Sequence, residues 1–324
     1  MKNSTIAALI ASTLLGSFAY AQVKQTKEQI MFYTADWKGE RFADGRPKVP
    51  DDLLKRAQDI STEDVWDFLR GKGYENQFEG NWQALHMDKP MTGRALTVQY
   101  MPSRPDVAKA EASEGKTEGR IPWAFNNSWP IEELVQGDVY VADGYGKIVD
   151  GTLIGSNLGN GIAAHTHSGF VFYGGIRDQE ENREIPNFNG FYKGYDPSFW
   201  MQEEITCINC PIRIGRAVVL PGDLVMANAE GVLFVPAILA EQAISAAEFT
   251  NLMDDYNFEL NREGKNGGQF EGGWNAEKFA GFKQWVEAHP DQLKMPKEEF
   301  EQMYNERMER MNRRRSGSGG PPAS

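Results

Sequence analysis

The sequence predicts an α/β fold, and two observations carry that expectation. Between Val139 and Asp178, strand-length apolar runs alternate with glycine-bearing turns and one helical stretch: Val139 to Ala142, Asp143-Gly144-Tyr145-Gly146, the Gly155 turn, a helix carrying Ile162 to Ala164, and Phe170 to Tyr173. That order of strand, glycine turn, helix and strand belongs to a layer in which helices cover a sheet. The composition agrees: 324 residues, 40% apolar and 25% charged, give a globular balance with enough length for one large core and appendages. In such layers ligands gather at the carboxyl ends of strands, which here means Gly174-Gly175-Ile176-Arg177-Asp178.

The chain opens as an exported precursor would. Lys2 precedes an apolar stretch from Ile6 through Leu15, and small residues lead to Ala19-Tyr20-Ala21 before Gln22. This is the tripartite layout of a secretory signal, residues 1–21, cleaved after Ala21, and it predicts a periplasmic or secreted protein. The alternative is a buried N-terminal core helix. No later stretch reaches the roughly 18 apolar residues that a membrane span needs.

Residues 22–60 are polar with scattered aromatics (Phe32, Tyr33, Trp37) and turns at Asp44-Gly45 and Arg46-Pro47, and read as an arm that wraps a neighbouring surface. The main domain is expected over 61–249. It opens with a helix capped by Ser61 or Thr62, with Val65, Phe68 and Leu69 on one face. Ala95 to Tyr100 alternates as a strand, Pro102 to Gly119 reads as a charged loop, and Ile131 to Val135 as a short helix. Residues 179–206 read as a long aromatic loop. Ile212 to Val219 and Leu224 to Asn228 flank the turn Pro221-Gly222-Asp223 as a hairpin-like pair, Val232 to Val235 is a strand, and Pro236 opens a helix through Ala247. Residues 250–315 form a helical extension, with a flexible stretch from Gly264 to Gly273 and helices over Ala276–Ala288 and Lys297–Met311, and 316–324 a disordered tail.

A net charge of -12 excludes a nucleic-acid surface, which needs clustered excess Lys and Arg. The basic run from Arg307 to Arg315 reads as a solvated helix end, or else as a contact for anionic lipid or polysaccharide. Cys207 and Cys210 are too few for a zinc site. Residues three apart in a strand face opposite ways, so a disulfide between them requires a turn.

Chemistry gathers on two segments. Gly155-Ser156-Asn157-Leu158 sits where a loop becomes a helix, so free backbone N–H groups and the positive helix end can hold a carboxylate. Arg177 offers a planar fork of donors to the same anion. Asp178 offers a hard oxygen to a divalent cation, magnesium first and manganese second. Gly174 and Gly175 would let a ligand approach the backbone. An anion clamp beside a hard cation suits an enolate developing on a 2-oxo acid. The plainer alternative is a surface Arg and Asp that flank a strand end.

These segments carry a resemblance. Gly137 to Gly144, Gly155 to Leu158, Gly174 to Asp178, Pro211 to Gly215 and Pro221 to Pro236 occur in the order seen in the RraA-like family, which includes the regulator of ribonuclease activity A and 4-hydroxy-4-methyl-2-oxoglutarate aldolases. Thr62 to Val65 and Thr92 to Val98 resemble its N-terminal half. The likeness implies a swivelling β/β/α domain, with this N-terminal arm and C-terminal helical extension outside it, assembled as a homotrimer or hexamer with sites between subunits. It implies that Gly155 to Leu158 and Arg177 bind the pyruvyl part of a small 2-oxo acid, that Asp178 holds the metal, and that Glu230 of a neighbouring subunit stands near it. It implies an exported metal-dependent lyase of the aldolase or oxaloacetate-decarboxylase type that releases pyruvate. The alternatives are a non-catalytic regulator, or a lyase or isomerase of oxidised sugar acids.

The chain departs from the family at three places. Gly174-Gly175 replaces a common Asp-Gly, Ser156 or Asn157 stands where an acid is usual, and Asn228 where an Asp is usual. The oxo-acid clamp is intact, but acid or base roles resting on those carboxylates lack their groups. His165 and His167, two residues apart on a helix, cannot face one metal together. Asp143 reads as turn-forming or catalytic, and Tyr192, Tyr195, Phe199 and Trp200 as loop packing or a sugar pocket.

Overall fold

The computed structural model describes residues 23–317 except 272. The expected leader, residues 1–21, and residues 318–324 of the expected tail lie outside the described residues. The strands are β1 (Phe78–Glu79), β2 (Gln83–Ala84), β3 (Met91–Pro102), β4 (Asp138–Asp143), β5 (Gly169–Ile176), β6 (Asn189–Tyr195), β7 (Glu203–Ile208), β8 (Ile212–Ile214), β9 (Ala217–Val219), β10 (Leu224–Asn228) and β11 (Gly231–Val235). The α-helices are α1 (Lys27–Tyr33), α2 (Asp51–Arg56), α3 (Thr62–Gly71), α4 (Pro105–Thr117), α5 (Ser156–Thr166), α6 (Gln179–Arg183), α7 (Ala240–Arg262), α8 (Ala276–Ala288) and α9 (Lys297–Gly317). None is long and apolar enough to cross a membrane among the described residues.

β3, β4, β5 and β6 run parallel, with Ala95 opposite Val139, Val139 opposite Gly169 and Gly169 opposite Asn189. Strands buried on both faces lose the polar alternation of a half-exposed sheet, and every residue of β4 is accordingly buried. β10 and β7 share the far edge of β3, both antiparallel to it, so Ala227 meets Met91 and Ile208 meets Val98. β11 continues the sheet beside β10. One face packs against the β8–β9 hairpin through Ile212, Ile214 and Val219 on Val139, Val171 and Phe234. The other face takes α5 around Tyr140 and Phe172, and α2, α3 and α7 around Leu224 and Leu233. Hairpin, sheet and helices make the β/β/α layering. A separate aromatic cluster, built on Phe249, Phe279, Phe282 and Phe300, joins α7 to α8 and α9.

Four expectations are corrected. Residues 105–117 form a helix rather than a loop, because Pro105 occupies its first turn, where its missing N–H costs nothing, and Asp106 and Lys116 complement the dipole. The stretch 179–206 contains α6, β6 and the start of β7. Its glycines are packing devices: a Cβ at Gly190 would enter the Phe170 ring. Residues 212–219 fold on themselves as the β8–β9 hairpin, leaving β10 to pair with β3 and β11. Ile131 lies in a 3-10 segment, Trp123–Glu133, not an α-helix.

The arm is anchored by charge. At the amino ends of β3 and β4, Asp138 is fully buried, and Arg46, 1% exposed, donates from Nη1 to its Oδ2 at 2.9 Å. Arg46 Nε also donates to Asp44 at 2.8 Å. Burial alone would disfavour the Arg46 charge, and Asp138 with Asp44 reverses that, raising its pKa. Arg94 donates to Val49 O at 2.6 Å, Asp51 at 2.7 Å and Gln136 O at 2.9 Å, and its Nε faces Asp138 Oδ1 at 3.9 Å. Both guanidinium groups stack on Phe42. Cys207 and Cys210 form a disulfide, and the turn it requires is supplied by Asn209 in the left-handed region at φ 60°. That turn holds the arm as well, since Ile208 N donates to Val23 O at 2.8 Å and Asn209 Nδ2 to Asp44 at 3.3 Å.

Candidate functional site

The Gly155 turn and the end of β5 meet because the chain pairs them twice. Leu153 N donates to Gly175 O at 3.0 Å, and Arg177 N donates to Ile154 O at 3.0 Å. Gly155 is the N-cap of α5 and provides no capping side chain, so the first N–H groups of the helix point outward. One of them is used within the site: Ser156 N donates to Asp178 Oδ2 at 3.1 Å. Asn157 is exposed and Leu158 half-buried beside it.

Arg177 and Asp178 leave the carboxyl end of β5 on the same side. Arg177 Nη1 lies 3.1 Å from Asp178 Oδ2, and the two side chains are 36% and 28% exposed, so both heads reach solvent. A Cβ at Gly155 would strike the Asp178 carboxylate and come within 2.8 Å of Arg177 Cζ, so only glycine allows this approach. The cluster combines a cationic fork, a hard anionic oxygen and a positive helix end, with open access. It can bind an anion and a cation side by side.

Gly174 and Gly175 do different work from that expected. Both are buried, Gly175 N donates to Lys147 O at 2.8 Å, and a Cβ there would sit 3.1 Å from Ile148 Cα. They admit the chain's own 147–154 loop, not a ligand. Asn182 was not anticipated. It is fully buried on α6, and its Nδ2 donates to Arg177 O at 3.1 Å and Asp178 O at 2.8 Å. Its only signal in the sequence is a position four residues after Asp178.

Glu230 lies elsewhere. It occupies the β10–β11 turn, and because Ala227 pairs with Met91, that turn projects past the amino end of β3, opposite to Arg177 and Asp178. Within one chain the two groups are not brought together. Glu230 is exposed in a groove with Thr62, Glu63, Trp66, Phe78 and Arg216, and Asn228 braces the turn by accepting from Glu230 N at 2.9 Å. A cleft of about 820 Å³ also opens at the amino end, lined by Lys55, His86, Lys89, His167 and Arg183, away from Arg177.

The remaining candidates fall into structural places. His165 Nδ1 is 3.1 Å from Leu134 O, and His167 caps the end of α5 at φ 52°. Asp143 accepts from Tyr145 N at 2.9 Å and Gln99 Nε2 at 3.2 Å, which closes its turn; burial raises its pKa. Tyr192 is buried and Trp200 packs edge-on to Tyr100, while Tyr195 and Phe199 are exposed, so the four do not form one pocket wall. Among the described residues no group of three or more His, Cys, Asp or Glu could hold a metal ion.

Comparison with known proteins agrees with this fold. The RraA-like family model, described as Aldolase/RraA, matches residues 62–234, more than half of the chain. A 4-hydroxy-4-methyl-2-oxoglutarate aldolase of Thermus thermophilus is 30% identical over 106 residues, covering 33% of this chain and 63% of the relative. Protein DlpA of Legionella pneumophila is 27% identical over 190 residues, 57% of this chain and 27% of its own. The chain thus spans less than two thirds of either relative. Among solved structures, Streptomyces coelicolor RraAS2, described as an unusual member of the RNase ES inhibitor RraA family, superposes with a TM-score of 0.55 at 25% identity over 65% of this chain and 99% of that one. Fold, motif order and family match agree, and the chain belongs to the RraA-like family.

Proposed function

We propose that the chain is an exported, divalent-metal-dependent lyase that grips a small 2-oxo acid at the Gly155 turn and releases pyruvate from it. The observation that carries this reading is the convergence of Arg177, Asp178 and the α5 amino end around a glycine that leaves no room for a Cβ. The N–H groups of Asn157 and Leu158 and the Arg177 fork would bind the substrate carboxylate and orient its oxo group. Asp178 suits magnesium, or manganese, because a hard cation of this kind takes one or two carboxylates and keeps its waters. Bound there, the cation supplies Lewis acidity where negative charge develops.

Ser156, whose N–H is committed to Asp178, holds that carboxylate in place rather than moving a proton. The proton-transfer role therefore falls to Glu230 of a second subunit in a trimer or hexamer, since the opposite ends of the sheet separate the two groups within one chain. The signal-like layout at residues 1–21 supports a periplasmic or secreted location, and N-terminal sequencing of the mature protein then reads Gln22 first. The absence of an acid at Ser156 and Asn157 favours one second reading, a non-catalytic binding protein.

The test is pyruvate release by the mature protein with magnesium or manganese, from oxaloacetate and from 4-hydroxy-2-oxo acids. On the lyase reading at least one substrate turns over, and Asp178→Ala lowers the rate by about 100-fold or more. No release from any of them, or a rate unchanged in the variant, would sink it.

A further inference from the structure

We propose that Asn182 is a positioning residue that sets the directions of Arg177 and Asp178; this rests on reading that pair as the metal- and oxo-acid-binding site. Asp178 sits at φ 53° and ψ 46°, a left-handed conformation that Asp adopts more readily than most residues with a Cβ but that still needs local hydrogen bonds to be the single state. Asn182 supplies three of the hydrogen bonds that hold it there. Its backbone N–H donates to Asp178 O at 3.0 Å, and its side-chain amide donates to Arg177 O at 3.1 Å and to Asp178 O at 2.8 Å. One buried side chain thus ties both carbonyls and fixes the peptide plane between the two functional residues.

The surroundings are built around that amide. A Cβ at Gly159 would collide with Asn182 Oδ1, so α5 carries a glycine in its second turn, where helix propensity opposes it, and that glycine makes room. Asn182 Oδ1 itself has no hydrogen-bond partner and is out of reach of water. An apolar side chain would avoid that orphaned acceptor. A local violation of this kind is expected where function, not stability, selects the residue. The conformation it enforces has one visible result: the Asp178 carboxylate turns toward Ser156 N and the Gly155 turn.

The experiment compares Asn182→Ala and the isosteric Asn182→Asp with the wild type. In crystal structures of the metal-free proteins, both variants are expected to lose the left-handed Asp178 conformation and its contact with Ser156 N. By calorimetric titration, Mn²⁺ affinity is expected to fall about tenfold or more, as for other outer-shell partners, with Tm within a few degrees of wild type for Asn182→Ala. A variant that folds, keeps Asp178 at positive φ and binds Mn²⁺ as the wild type does overturns the proposal. Should the wild type bind no Mn²⁺, the metal reading fails, and the conformation of Asp178 in the variants still decides whether Asn182 positions it.

Discussion

Two Arg–Asp clusters lie at opposite ends of the parallel strands, and they differ sharply in burial and in bonding. At the amino end Asp138 is closed in by Arg46 and Arg94, all three essentially without solvent contact, and each guanidinium is further tied to backbone carbonyls or a second acid. At the carboxyl end Arg177 and Asp178 face each other with about a third of each side chain exposed and with Ser156 N as the main other partner of the carboxylate. The first cluster is shut off from any ligand by burial, although Arg94 Nε and Asp138 Oδ1 have no hydrogen-bond partner. The second has unused donors and acceptors held in place by backbone. Burial between two cations makes the first an anchor, and partial exposure with spare donors and acceptors leaves the second able to take a ligand.

The largest effect that would break this contrast is on stability. Asp138→Ala removes the buried carboxylate between two buried guanidinium groups and leaves each with one remaining acid, and thermal unfolding is expected to show a loss of ~3 kcal/mol, with a Tm lower by several degrees. Asp178→Ala should cost no more than ~1 kcal/mol, because its ion pair is partly solvated. Equal losses in the two variants would erase the distinction. The next effect concerns activity. If Glu230 completes the site of a neighbouring subunit, co-expressing Glu230→Ala with Asp178→Ala restores about a quarter of wild-type turnover, since one random neighbour pair in four then joins two intact halves. No recovery would place Glu230 outside the reaction.

The smallest effect tests a carboxylate that belongs to neither pair. Glu203 is 5% exposed, its Oε1 lies 3.7 Å from Lys147 Nζ, and its other oxygen has no partner. Burial pushes its pKa from the ordinary 4.5 up to about 8. The folded state therefore keeps a proton that the unfolded chain has already released, and stability falls as pH rises through that interval. Glu203→Gln is expected to raise Tm by a few degrees at about pH 8.5 and to leave it unchanged at about pH 5. A shift of the same size at both would show that ionisation is not the cause.

Much of the site was legible in the sequence because its parts are short and local. Gly155, Arg177 and Asp178 stand at junctions between a strand or loop and a helix, and such junctions follow from apolar run lengths and glycine placement. The amino-end anchor was not legible, since Arg46 and Asp138 are 92 residues apart and each reads locally as a turn residue. α4 and β6 were hidden for a related reason. Pro105, Gly115, Gly190 and Gly194 look like breaks, yet Pro105 starts a helix, and Gly115 and Gly190 are small because Trp129 and Phe170 occupy the space beside them. Asn182 escaped notice because its partners are backbone carbonyls, which leave no pattern of side chains to read.

One feature of the fold bears on how the whole chain moves. α7 runs unbroken from Ala240 to Arg262; its first two turns, Ala240 to Ala247, pack on the sheet, and from Phe249 onward it enters the aromatic cluster of the extension. A helix cannot hinge at residue 250 without breaking its own hydrogen-bond ladder. The extension is thus mounted on a rigid shaft. Its foot stands on Leu224 and Leu233, in the two strands whose turn carries Glu230.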